Sequence, residues 1–283
     1  MASIVGGLAV SHIPAIGGAI AKGLQADPYW APFFDGFPPV HRWLAQATPD
    51  IAVVFYNDHG LNFFLDKMPT FAVGAAAHYA NADEGWGIPT LPPVDGNQDL
   101  SWHLIEHLVA AEFDIVTCQE MLVDHALTLP LKLFWPDQEV APVQVVPICI
   151  NTVQFPLPTT HRTYRLGEAV GQAIRSWDSD KRVVVMGTGG LSHQLEGERA
   201  GHINKKFDQE CLASIVSDPQ WLTQFSDREL VALAGTQGVE VLNWLAMRAA
   251  LGAADGPIRE VHRNYHIPIS NTATGLLVLE PAA

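Results

Sequence analysis

The segment Val183–Gly201, VVVMGTGGLSHQLEGERAG, constrains the fold more than any other stretch. Its opening, Val183 to Met186, is an apolar run that suits burial on both sides. Such runs mark interior strands of sheets covered on both faces. The run breaks at Gly187-Thr188-Gly189-Gly190 and delivers Ser192 and His193 into a loop. A chain built this way needs helices over both faces of the sheet and displays polar side chains at its carboxyl edge. An imidazole there titrates near neutral pH and can act as a general base. The same glycines would also suit a phosphate-cradling or purely architectural turn.

The pattern recurs. Ile4–Val10 ends at Ser11-His12-Ile13-Pro14, with Pro14 closing the strand, and Ile51–Tyr56 ends at Asn57-Asp58-His59. A short strand expected from Ile115 precedes Asp124-His125, and Val143–Ile150 ends near Asn151. Helical spacing covers Val40–Ala47, Leu100–Ala111, Thr160–Trp177, Asn204–Val216, Asp227–Ala234 and Val239–Leu251. A closing hairpin is expected from Val261–Ile267 and Gly275–Leu279, with Ser270-Asn271-Thr272 between them. Strands alternating with helices predict one α/β domain over residues 1–283, a central mixed sheet flanked by helices.

Each histidine alone reads as a core imidazole bonded to backbone. Four of them after successive strands, His12, His59, His125 and His193, read as a site at one sheet edge. His12, His59 and one carboxylate would satisfy the two-histidine, one-carboxylate face of non-haem Fe(II) oxygenases. On spacing alone, Glu240 is a carboxylate favoured by the dipole of the helix it opens. His103 and His107, at i, i+4 in HLIEH, lack the HExxH order and read as a solvated helix face. The Gly- and Pro-rich loop Ala80–Pro93 has the length of a functional cover.

Charge narrows the partners. Against 30 Asp and Glu stand 16 Lys and Arg, a net −14 with no basic stripe, which argues against nucleic acid and anionic membranes. No apolar run reaches the roughly 18 residues of a membrane span. No signal peptide is visible, and the three scattered cysteines suggest reduced thiols, so a cytoplasmic location is expected.

SHIPAIG at 11–17, YNDH at 56–59, ADEGWG at 82–87, DH at 124–125 and GTGGLSHQLEGERAG at 187–201 run in order along the chain. GVE at 238–240 with Trp244 and Met247-Arg248, then YHIPISNT at 265–272, complete the set. Together they resemble the class III, LigB-like extradiol ring-cleavage dioxygenases. The resemblance implies that His12, His59 and Glu240 ligate Fe(II), that His193 is the catalytic acid/base, and that His125 is a second active-site histidine. It places Ser270, with Asn271 beside it, against the substrate carboxylate. The implied reaction cleaves protocatechuate at the 4,5 bond with O2, giving 4-carboxy-2-hydroxymuconate semialdehyde. Gallate or a methylated gallate is the alternative within the family, and a Zn-dependent hydrolase on the same site lies outside it. Because the chain ends soon after the hairpin, at Ala283, the resemblance also implies a small helical α chain covering the site of a catalytic β subunit, in an α2β2 assembly.

Overall fold

The computed structural model describes residues 1–85, 91–252 and 256–282. The strands are β1 (Ser3–Val10), β2 (Ile51–Tyr56), β3 (Phe71–Gly74), β4 (His78–Asn81), β5 (Val94–Asp95), β6 (Val116–Cys118), β7 (Leu122–Val123), β8 (Gln144–Ile150), β9 (Arg182–Thr188), β10 (Ile258–Ile269) and β11 (Thr272–Pro281). The α-helices are α1 (Pro14–Ala21), α2 (Ala31–Phe34), α3 (Phe37–Ala47), α4 (Gln98–Ala110), α5 (His125–Phe134), α6 (Thr160–Ser176), α7 (Lys205–Ser217), α8 (Asp227–Ala234) and α9 (Val241–Leu251).

Among the described residues the main sheet has eight strands in the order β10-β11-β1-β9-β2-β8-β3-β6. Its middle, β1-β9-β2-β8, is parallel, while β11 joins β1 and β3 joins β8 in antiparallel fashion. The sheet is therefore mixed. Its apolar runs are continuous because alternate residues face two different cores. Val53, Phe55, Val183 and Val185 meet α4, α6, α7, α8 and α9. Ala52, Val54, Tyr56, Val184 and Met186 meet α1, α2, α3 and α5. Burying each of the larger side chains stabilises the fold by about 1.5–3 kcal/mol, so neither face can be lost.

β1, β9 and β2 are neighbours and parallel, so the segments after Val10, Thr188 and Tyr56 emerge together at one edge. Pro147 sits inside β8 without an N–H to give, and the pairing with β3 stops at Ile148. Asp124 and His125 depart from the simple pattern. They follow β7, which belongs to a separate three-stranded sheet, β5-β4-β7, so His125 reaches the edge from the helical layer. The closing hairpin is longer than its apolar runs suggested. Ser270 and Asn271 form its two-residue turn, at φ 47° and 62°. Both central residues of a type I′ turn need positive φ, and this turn suits the twist of the flanking strands.

All eleven residues of α9 are buried. This helix lies so close to β9 that a Cβ on Gly187 would meet the Asn243 carbonyl oxygen at 2.6 Å and the Trp244 Cα at 2.8 Å. Among the described residues no single helix is long and apolar enough to cross a membrane. Gly187→Ala must push two backbone segments apart and should cost about 1–3 kcal/mol, read as a lower urea midpoint with an unchanged slope.

Candidate metal centre and active site

His12 follows β1 and is buried. Its Nδ1 lies 3.2 Å from the Thr188 hydroxyl, on the adjacent β9, and its Nε2 lies 3.4 Å from Glu240 Oε1. His59 follows β2. Its backbone N–H and its Nδ1 both bond to Asp124 Oδ2 at 2.9 Å, and its Nε2 lies 3.6 Å from the same Glu240 Oε1. A carboxylate can only accept from Nδ1–H, which turns Nε2 toward Glu240 and makes it the candidate metal donor once it is deprotonated. This is how metal-ligating histidines are oriented.

Glu240 closes a 3-10 turn, Gly238–Glu240, that leads into α9. Its Oε2 accepts the Gly190 N–H at 2.9 Å, and its Oε1 accepts from Asn57 Nδ2 at 3.2 Å. Asn243 on α9 completes the support, donating from Nδ2 to Asn57 Oδ1 at 3.0 Å and to the Thr188 carbonyl at 2.8 Å. Gly189, at φ 98°, has no room for a side chain, because a Cβ would lie 2.6 Å from Glu240 Cβ.

His12 Nε2 and His59 Nε2 thus both face Glu240 Oε1. Donors about 2.1 Å from one ion stand roughly 3.0–3.5 Å apart when they share a face, close to the two distances observed. A ring nitrogen of His125 also lies within 4.8 Å of ring nitrogens of His12 and His59, so a three-histidine site is available there too. The charges balance without an ion as well. Burial disfavours the Glu240 carboxylate, but His12, His59 and His193 hold its pKa well below the usual range. The surroundings of His59 disfavour an imidazolium, yet Asp124, ahead of Glu240, pushes it up to about 10.

Two further histidines flank the cluster. His193 Nδ1 donates to the Leu191 carbonyl at 2.8 Å, leaving an Nε2 lone pair 3.9 Å from Glu240 Oε2. Behind it, Ser192 is fixed by buried Asp208, which accepts from its N–H at 2.8 Å and its hydroxyl at 2.7 Å. His125 opens α5, with Asp124 as N-cap. Its ring stacks on His59 at 4.3 Å between centroids and meets His12 edge-on at 5.4 Å. Burial lowers the His125 pKa, against an opposing pull from Glu84.

Ser270 and Asn271 are exposed on their turn, where Tyr29 accepts the Ser270 N–H at 3.1 Å. The next residue, Thr272, bridges His193 through backbone, so the turn borders the site. His103 lies elsewhere, its Nε2 bonded to the Ala173 carbonyl and the Ser176 hydroxyl. Trp86 and Gly87 of the ADEGWG segment lie outside the described residues.

Residue-by-residue reading assigned no role to Thr188, Asn57, Asp124 or Asn243. The first three stood in plain view inside GTGG, YNDH and DH. Asn243 was signalled only as a lone amide in the apolar helix VLNWLAM.

A family model described as the catalytic LigB subunit of aromatic ring-opening dioxygenase matches residues 6–275. The chain belongs to the LigB family. A gallate dioxygenase of Pseudomonas putida is 40% identical over 199 residues, covering 70% of this chain. That alignment spans only 57% of the gallate dioxygenase's own length. A 2,3-dihydroxyphenylpropionate/2,3-dihydroxicinnamic acid 1,2-dioxygenase of Xanthobacter autotrophicus is 31% identical, covering 82% of this chain and 85% of the relative. Another from Pseudomonas putida is 30% identical over 277 residues, with the same two coverages, 82% and 85%.

A metal ion must displace the proton that His59 holds below about pH 10. Metal affinity should therefore rise about tenfold per pH unit between roughly pH 6 and 8. Calorimetry of Zn(II) binding in buffers of differing ionisation enthalpy should count one proton released per ion. Asp124→Ala removes the group that turns His59 toward the site and should weaken metal binding about 10- to 100-fold.

Proposed function

We propose that this LigB-family chain is a non-haem Fe(II) extradiol dioxygenase opening the ring of a carboxylated vicinal diol, gallate first and protocatechuate second. One observation carries the reading. Two imidazole Nε2 atoms face one carboxylate oxygen, each histidine turned by a partner on its Nδ1, with a free imidazole nitrogen alongside. His12, His59 and Glu240 would hold the ion. Bound there, Fe(II) would supply a Lewis acid for the two adjacent hydroxyls and an electron route to dioxygen.

The protein does the rest. His193 Nε2 takes a phenolic proton as the diol binds and returns it as the ring opens, because an imidazole can do both near neutral pH. His125 faces the same space from α5 and hydrogen-bonds the diol or the oxygen. Ser270 and Asn271 are the candidates for the substrate carboxylate. Gallate takes precedence because a gallate dioxygenase is among the relatives, though a single ring hydroxyl separates it from protocatechuate. A small helical partner in an α2β2 assembly fits the same edge. Phe64 and Leu65 after β2, Val153 and Phe155 after β8, and Leu195 after β9 are exposed apolar side chains there.

Oxygen uptake tests the proposal. The chain is loaded with Fe(II) without air, then given gallate or protocatechuate in air, with the absorbance of the ring-opened product followed in parallel. Uptake matched by product is expected, faster with gallate. Full Zn(II) occupancy on purification, with no uptake on either acid, would defeat the reading. His193→Phe should keep iron and lose turnover by roughly 100-fold or more, and wild-type turnover would remove the proton-transfer role. Glu240→Ala should purify with little iron.

A further inference from the structure

Glu84 is the carboxylate that grips His125. It stands in the loop after β4, with its side chain only 5% exposed. Its Oε1 accepts the His125 backbone N–H at 2.6 Å, and its Oε2 accepts from His125 Nδ1, also at 2.6 Å. These are short, charge-assisted bonds, and both end on one residue.

The base of the loop is fastened separately. Ala82 N–H and Asn81 Nδ2 both donate to the Val123 carbonyl, at 2.9 Å and 3.0 Å, and Asn81 Oδ1 accepts the Leu91 N–H at 2.8 Å. These bonds fasten Asn81 and Ala82 to β7 and Asn81 to Leu91, and Glu84 takes part in none of them. Glu84 is instead buried and spends both of its oxygens on one histidine of the site.

We infer that Glu84 is a positioning residue that sets the tautomer of His125. A carboxylate can only accept, so it keeps the proton on Nδ1 and leaves the Nε2 lone pair for the space shared with His12 and His59. Without it, an imidazole in solution prefers no such arrangement, and the ring could present Nε2–H to the diol instead. The bond to the backbone N–H holds the first turn of α5 at the same time, so ring and main chain are fixed as one unit. The two flanking histidines are then held alike in tautomer but not in kind, His193 by a neutral carbonyl and His125 by a carboxylate.

The claim about catalysis rests on the proposed ring cleavage, whereas the claim about the tautomer does not, and the two are tested separately. Long-range 1H–15N spectra of the Zn(II)-loaded full chain read the tautomer directly, with the His125 signals identified by their loss in His125→Gln. Nδ1–H is expected in the wild type, and a shift to Nε2–H or to a mixture in Glu84→Ala. Nε2–H in the wild type, or an unmoved spectrum in Glu84→Ala, overturns the inference whatever the enzyme acts on.

Kinetics on the Fe(II)-loaded chain then separate positioning from loop anchoring. Glu84→Gln and Glu84→Ala should keep wild-type iron content and a KM within about threefold, with kcat lowered by roughly 10- to 100-fold. The glutamine retains the shape and one acceptor oxygen, but cannot take both bonds. Wild-type kcat in Glu84→Ala would mean that Glu84 only packs the loop, and would overturn its role in turnover. Absence of turnover in the wild type strikes the ring-cleavage reading and leaves the spectra to decide the inference.

Discussion

The centre depends on one buried anion. Glu240 is 6% exposed and carries a carboxylate that has left water. A buried charge is tolerated only when its partners are in place, and losing one of them costs about 3–5 kcal/mol. The fold supplies those partners from every neighbouring element. Gly190 N–H comes from the turn after β9, Asn57 from the end of β2, and the imidazoles from β1, β2 and the turn after Gly190. The arrangement that makes the anion bearable also turns two imidazoles toward it, which is what a metal site proposed there would need. Asp124, and behind it Glu240, favour the charged form of His59, so the same carboxylate draws on its neighbours for compensation.

Topology explains why these groups meet. The strand order brings β1, β9 and β2 side by side in parallel, so residues 12, 59 and 190, far apart along the chain, leave the sheet within a few ångströms. α9 lies across the same three strands and closes the circle. Its Trp244 indole N–H bonds the Gly189 carbonyl at 2.9 Å, while Asn243 reaches both β9 and Asn57. The close approach that Gly187 permits is what puts Glu240, one turn earlier, above the strand ends.

Much of this was legible in the chain. The apolar runs of β1, β2, β8 and β9 had to be interior strands, and the polar residues after them had to lie at an edge. Periodicity could place His12, His59 and His193 at that edge, but it could not choose their carboxylate. By spacing alone Glu240 was a helix-dipole partner, and only the fold, or the family resemblance, brings position 240 to positions 12 and 59. The location of His125 was legible only in part. Its motif was plain, but β7 is too short and too exposed to announce that the residue enters from a separate small sheet. The supporting shell was hardest, because Thr188, Asn57 and Asn243 are ordinary polar residues until a neighbour from another strand gives each a partner.

The place of β1 carries a consequence for how the protein is made. It lies between β9 and β11, so neither of its edges is paired until residues 182–188 and then 272–281 have been added. His12 precedes Glu240 by 228 residues, so the imidazole is made long before the carboxylate it faces. During synthesis the nascent amino-terminal segment therefore carries an apolar strand with two open edges, the state most prone to mispairing with other chains. A nascent chain halted before position 240 would hold the imidazoles of His12 and His59 without the carboxylate that both of them face.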